Sequence, residues 1–196
     1  MSAQTEETFA FTAENKKMAK TILAKYPEGR EASATMPLLT LAQRQNDNWL
    51  PRVAMDVVAE MVGLAPIRVY EVATFYTMYN LKPVGKNFVQ VCTNISCLIK
   101  GADDVFKVCK KKLGLENGET SDDGLFTLLE VECLGACVNA PMMQINDDFY
   151  EDLDADSTDK VLGALAKGET PEPGSQGGKR VGCQPTGGLT TLTGGK

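Results

Sequence analysis

Six cysteines and no histidine occur in this 196-residue chain, so any metal or redox chemistry must run through sulfur or oxygen. Cys92 and Cys97 enclose Thr93-Asn94-Ile95-Ser96 in a C-x4-C just after a short valine-rich run. Cys133 and Cys137 enclose Leu134-Gly135-Ala136 in a C-x3-C just after a second such run. Two close pairs in one chain read most naturally as a single four-thiolate site. Three occupants compete for it. A 2Fe-2S cluster suits x4 and x3 loops, which are wider than the x2 pairs of structural zinc ribbons. Structural zinc is compatible with the spacing, and unligated thiols are the third reading, although no C-x-x-C of the thioredoxin exchange type is present. Gly101 and Gly135 would let the backbone approach a bulky inorganic core and direct amide N–H groups at its sulfur. Cys109 lies on the apolar stripe of an expected helix and reads as a small core hydrophobe. Cys183, in a glycine-rich tail, takes no ligand role.

The lack of imidazole excludes Ser-His and Cys-His nucleophile pairs, Cys2His2 zinc sites, Rieske centres and His-ligated haem. No GxxxxGK[ST] occurs, and the tail glycines follow no strand, so the chain carries no evident nucleotide site and no catalytic residue of its own. A net charge of −6 with no basic stripe argues against sequence-independent nucleic-acid binding. Seven acidic residues fall between Asp147 and Asp159. Counted as a calcium loop from Asp152, that run puts Ser157 where glycine is needed and Gly163 where glutamate is needed, so it reads as solvated surface. The sequon Asn94-Ile95-Ser96 lies inside the first cysteine loop and is not read as a glycosylation site. No stretch approaches the roughly 18 apolar residues that span a bilayer, and the start MSAQTEETFAFT resembles neither a signal nor a transit peptide. These features predict a cytoplasmic chain with reduced thiols and no direct membrane insertion.

The elements that must hold the thiols follow from apolar periodicity. Thr12 to Lys25 predicts a first helix, capped by Thr12, with Met18, Ile22, Leu23 and Tyr26 on one stripe. A second, Thr35 to Asp47, carries Leu38, Leu39, Leu41 and Ala42 with Thr35 as cap. Pro51 opens a third with Val53, Val57, Val58, Met61 and Val62 inward, closed by Gly63. Pro66 opens a fourth with Val69, Val72, Ala73, Tyr76 and Tyr79 inward, ended by Pro83 and Gly85. Its other face, with Phe75 and Met78, is apolar enough to predict a subunit contact. Residues 1–85 are thus expected as a small helical bundle. Beyond it, strands at 87–91, 125–131 and 142–145, a short one at 149–150, and helices at 102–113 and 157–166 predict an α/β domain over 86–167. Nine of the 18 glycines and three prolines fall within residues 168–196, a composition too poor in apolar side chains to form a core, so an extended tail is expected there.

Four long stretches resemble one family: YPEGREASATMPLL at 26–39, YEVATFYTMYNLKPVGK at 70–86, VCTNISC at 91–97 and VECLGACVNAPMMQIND at 131–147. They are similar to the thioredoxin-like 2Fe-2S subunit of the NADH dehydrogenase module of respiratory complex I, the proton-translocating NADH:quinone oxidoreductase. The tail CQPTGGLTTL at 183–192 resembles the extension of mitochondrial and related bacterial forms. The resemblance implies an α+β chain whose second domain is a thioredoxin-like ferredoxin holding one 2Fe-2S cluster on Cys92, Cys97, Cys133 and Cys137. It implies FMN and NADH on a partner subunit that also carries a 4Fe-4S cluster, a further contact with the large iron-sulfur subunit, and single-electron exchange with that FMN. It also implies a peripheral place on the cytoplasmic face of the inner membrane, or the matrix side in a mitochondrial form. Ser96 departs from the family, which usually has proline before the second cysteine. An oxidised cluster with four thiolates carries a charge of about −2 and falls to about −3 on reduction, which predicts a low potential in an acidic protein. Two alternatives are a similar subunit of an NAD-linked formate dehydrogenase or hydrogenase, and an assembly subunit stapled by zinc.

Overall fold

The computed structural model describes residues 8–178 and 181–183, which divide into two compact units between Val84 and Gly85. The first unit is helical: α1 (Ala13–Leu23), α2 (Thr35–Gln45), α3 (Arg52–Val62) and α4 (Pro66–Phe75). Leu38, Leu39, Val58 and Val69 are fully buried at its centre. Thr12 caps α1 by accepting the Asn15 N–H.

Three local expectations change here, each through a tertiary or neighbouring contact. Thr35 does not cap α2, because a 3-10 turn at Glu31–Ala34 runs straight into it and the Thr35 hydroxyl donates to the Ala32 carbonyl. On α3 the buried residues are Ala54, Met55, Val58, Ala59 and Val62, while Val53, Val57 and Met61 are only half-buried. Alanine scores weakly in an apolar periodicity, yet it packs well between close helices. The fourth helix stops at Phe75, short of Pro83. Gln43 on α2 donates to the Met78 carbonyl and accepts the Asn80 N–H, and the Tyr79 hydroxyl donates to the Met36 carbonyl. These bonds hold residues 78–80 out of the helix and override local propensity.

The second unit contains β1 (Asn87–Cys92), α5 (Ile95–Ile99), α6 (Ala102–Leu113), β2 (Phe126–Val131), β3 (Met143–Ile145), β4 (Asp148–Glu151), α7 (Ala155–Ala166) and β5 (Gly174–Ser175). Its sheet has the order β2-β1-β3-β4-β5. The β1–β2 and β4–β5 pairs are parallel, and β3 runs antiparallel to both β1 and β4. Buried Val89, Val91, Phe126, Leu128 and Met143 of the sheet pack with Val105 and Cys109 of α6 and Val161 and Leu162 of α7. Parallel pairing of β1 with β2 matters most for function. It sets Cys92 opposite Val131, so the loops leaving both strands emerge at one edge of the sheet.

Composition places residues 168–196 outside the folded unit, but backbone bonding ties part of that stretch to the sheet edge. Gly174 and Ser175 pair with Tyr150 and Glu151, the Gln176 N–H donates to the Glu151 carbonyl at 2.8 Å, and the Tyr150 hydroxyl donates to the Pro171 carbonyl. A glycine-rich strand joined by main-chain bonds leaves no apolar signal to read. Lys179, Arg180, Leu189 and Leu192 of the expected tail lie outside the described residues.

Candidate functional site

The first cysteine pair is set by the end of β1 and by α5, a helix of five residues inside the C-x4-C loop that periodicity cannot detect. Asn94 starts it, with its side-chain oxygen accepting the Ile95 N–H and its carbonyl accepting the Leu98 N–H. Cys92 and Cys97 are both buried, and their side chains are hydrogen-bonded to each other. The second pair lies in the loop after β2, where Cys133 and Cys137 are exposed and their sulfurs are 3.3 Å apart. Gly101 and Gly135 adopt φ values of 101° and 90°, and a Cβ at either would meet nothing within 4 Å. Glycine therefore suits the left-handed turn at both positions, and no protein atom crowds it there.

Side-chain bonds join the two loops. Thr93 donates to Glu130 at 2.8 Å, and the Asn94 amide donates to Glu132. The Ser96 side chain acts to lower the proton affinity of Cys137, and Cys137 also interacts electrostatically with Cys92 and Cys97. The four sequence-selected thiols thus lie, as two pairs, in the loops at the carboxyl end of the parallel strands. Among the described residues no three cysteine, aspartate or glutamate side chains close on a single point as they would around one metal ion.

The proton affinities reflect this environment. Burial pushes the Cys97 thiol up to about 12, with the hydrogen bond to Cys92 adding to it and a bond from the Met142 N–H opposing it. The Cys133 thiol is lowered, first by the hydrogen bond to Cys137 and then by the Gly135 N–H. Cys137 is raised, first by the same bond. Two sulfurs 3.3 Å apart repel each other as thiolates, a contact a bridging cation would relieve. Cys109 is fully buried among apolar side chains of the second unit, and its thiol is pushed up to about 12 by that burial. It is a core residue away from the two pairs.

Sequence reasoning missed several residues here. The main-chain donor at Met142 and the bond from Ser96 leave no pattern in a sequence. Glu151 belongs to the acidic run read as solvated surface, yet it is 0% exposed and accepts from Asn139, two residues beyond Cys137. Adjacent Tyr150 and Glu151 are both buried, so strand alternation gives no signal of it.

With this geometry in place the chain can be compared with known proteins. A family profile described as thioredoxin-like [2Fe-2S] ferredoxin matches residues 19–166, well over half of the chain. A subunit of the NADH-quinone oxidoreductase of Rickettsia conorii is 55% identical over 157 residues, covering 80% of this chain and 94% of that protein. The chain belongs to this family of oxidoreductase subunits. Another family member, the mitochondrial NADH dehydrogenase [ubiquinone] flavoprotein 2 of Dictyostelium discoideum, is 51% identical over 184 residues, which cover 94% of this chain and 74% of that one. Among solved structures, the NAD+-reducing [NiFe]-hydrogenase in its H2-reduced state matches with a TM-score of 0.58 and 19% identity over 69% of this chain and 23% of the hydrogenase chain, a likeness of fold. The mixed α/β architecture expected from the family is therefore the one observed.

Proposed function

We propose that the chain is the electron-transfer subunit of an NADH:quinone oxidoreductase, with one 2Fe-2S cluster held by Cys92, Cys97, Cys133 and Cys137. One observation carries this reading: the two cysteine pairs, 36 residues apart at their nearest members (133 − 97), come together at one edge of the sheet as two couples of thiols. That donor set fits four-thiolate ligation of two irons in pairs. Bound there, the cluster supplies one-electron redox chemistry, which lets the chain exchange single electrons with the FMN of a partner subunit.

The chain's own residues make such a site workable. Amide N–H groups of Met142 and Gly135 and the Ser96 hydroxyl direct hydrogen bonds at Cys97, Cys133 and Cys137, favouring the thiolate form required of a ligand. Cys92 and Cys97 are shielded from water while Cys133 and Cys137 face it, so the exposed pair is the side available to a partner. Around it Ile95 is 71% and Ile99 77% exposed, an apolar rim suited to docking that would exclude water from the electron path. The FMN- and NADH-binding 4Fe-4S subunit is the partner this reading assigns, with the large iron-sulfur subunit as a second. No helix of the described residues is long and apolar enough to cross a membrane, and attachment to the membrane arm through other subunits is part of the proposal.

Purified chain should carry two irons and two acid-labile sulfides, absorb in the visible, and give an electron paramagnetic resonance signal after dithionite. Cys133→Ser should lose at least half of that iron and distort the spectrum. Retention of two irons with an unchanged spectrum in Cys133→Ser would overturn the ligand set. Steady NADH:ferricyanide turnover by the chain alone would overturn its role as a subunit dependent on a flavin partner.

A further inference from the structure

Among the described residues, the most deeply buried charged side chain of the second unit is not part of the thiol set. Glu151, on β4, is 0% exposed, and the groups facing its carboxylate are donors. Asn139 Nδ2 donates to Oε2 at 2.6 Å, and the Cys183 N–H straddles both oxygens at 2.8 and 2.9 Å. A carboxylate surrounded by donors at both oxygens has the pattern of an ionised acceptor, and taking one out of water is costly unless each lone pair is matched. Its hydrogen bonds reach in two directions. Asn139 closes the 3-10 turn that begins at Cys137, and its carbonyl accepts the Asp152 N–H at 2.8 Å. Asn139 Nδ2 also donates to the Val181 carbonyl at 2.9 Å. The carboxylate is thus the joint at which the second cysteine loop, the strand β4 and residues 181–183 are fastened together.

We infer that Glu151 is a positioning residue for the cluster: through Asn139 it fixes the turn carrying Cys137, and it uses the segment at 181–183 to seal itself from water. The inference rests on the cluster reading above. It gives Glu151 two separable consequences. As an anchor it limits the movement of Cys137, and so the loss of iron. As a fixed negative charge in a poorly screened region it opposes the addition of an electron nearby.

Glu151→Gln and Glu151→Ala in the full chain divide the two. A glutamine whose carbonyl takes the Oε2 position can still accept from both Asn139 and Cys183, so Glu151→Gln should hold its iron against a chelator for at least half as long as the unaltered chain. Removing the charge should move the one-electron reduction equilibrium about tenfold toward the reduced form, which is about 59 mV. Glu151→Ala takes away the shorter of the two acceptors of the Asn139 amide and should release iron at least tenfold faster, and Asn139→Ala, which removes the same bond from the other side, should do likewise. Circular dichroism in the far ultraviolet shows whether each variant is folded before iron release is timed. Folded alanine variants that release iron no faster than the unaltered chain would overturn the anchoring role, and an unchanged potential in Glu151→Gln would overturn the electrostatic one. If the unaltered chain binds no 2Fe-2S cluster, the ligand reading fails first and by a separate measurement.

Discussion

At the scale of single residues, Ser96 is where this chain differs from the pattern its sequence resembles. It occupies the second position of α5, and its hydroxyl acts to lower the proton affinity of the Cys137 thiol. Proline is tolerated in the first turn of a helix, so Ser96→Pro should fold, but proline has no hydroxyl to offer the sulfur. Hydrogen bonds to ligand sulfurs spread their negative charge and ease reduction. Ser96→Ala and Ser96→Pro should therefore both lower the reduction potential, with iron content unchanged, as read by potentiometric titration of the visible spectrum. The cysteine pairs themselves are legible from spacing, because ligand geometry dictates both residue type and separation. Ser96 and Glu151 are not legible in the same way. Their roles come from a tertiary neighbour, and a polar side chain in sequence gives no sign of whether it faces water or another loop.

Elements were readable wherever one face meets a core and the run is long. The length of α6 and the presence of β1 to β4 follow from this, whereas α5 is too short to show a period, β5 carries no apolar signal, and the end of α4 is decided by Gln43 and Tyr79 from elsewhere in the chain. The start of α7 illustrates how local chemistry sets a boundary. Asp154 accepts the Ser157 N–H at 2.7 Å while the Ser157 hydroxyl accepts from the Asp154 N–H, a reciprocal capping box that moves the start two residues ahead of the expected Ser157. The Ser157 N–H, followed by the Ser157 hydroxyl, holds the Asp154 carboxyl below the usual carboxylate range. A carboxyl lowered on folding contributes stability that is complete above its unfolded pKa, near 4, and is lost as pH falls through the folded value. Asp154→Ala should cost about 0.5–1 kcal/mol at pH 7. Asp154→Asn keeps an acceptor at the cap and should cost only a few tenths of that, with no acid loss from this group. Urea unfolding at pH 7 and pH 3 checks both, since the difference between Asp154→Asn and the unaltered chain should shrink at the lower pH.

For the whole molecule, the chain past α7 is the part whose composition and structure disagree. Its glycine content predicts a segment dispensable for the folded unit, yet β5 lies on the sheet edge and the Cys183 N–H is a partner of the buried Glu151 carboxylate. Removing residues 171–196 would strip β4 of its parallel neighbour and leave a desolvated charge short of a donor, which costs about 3 kcal/mol by analogy with broken buried pairs. Removing only residues 184–196 retains those bonds. The longer truncation should therefore lower the temperature at which the visible chromophore bleaches, by roughly 12 °C for a unit of this size, while the shorter one leaves it within about 2 °C. Trp49, the one tryptophan of the chain, lies in the helical unit, which has a buried core of its own, so its fluorescence reports that unit's unfolding separately. That transition should stay in place in both truncations. A longer truncation that bleaches at the same temperature as the full chain would mean that the edge strand and the Cys183 donor contribute nothing to the unit that holds the thiols. A fall in both transitions would instead show that the two units unfold together, and the stabilisation by residues 171–183 would then belong to the chain as a whole.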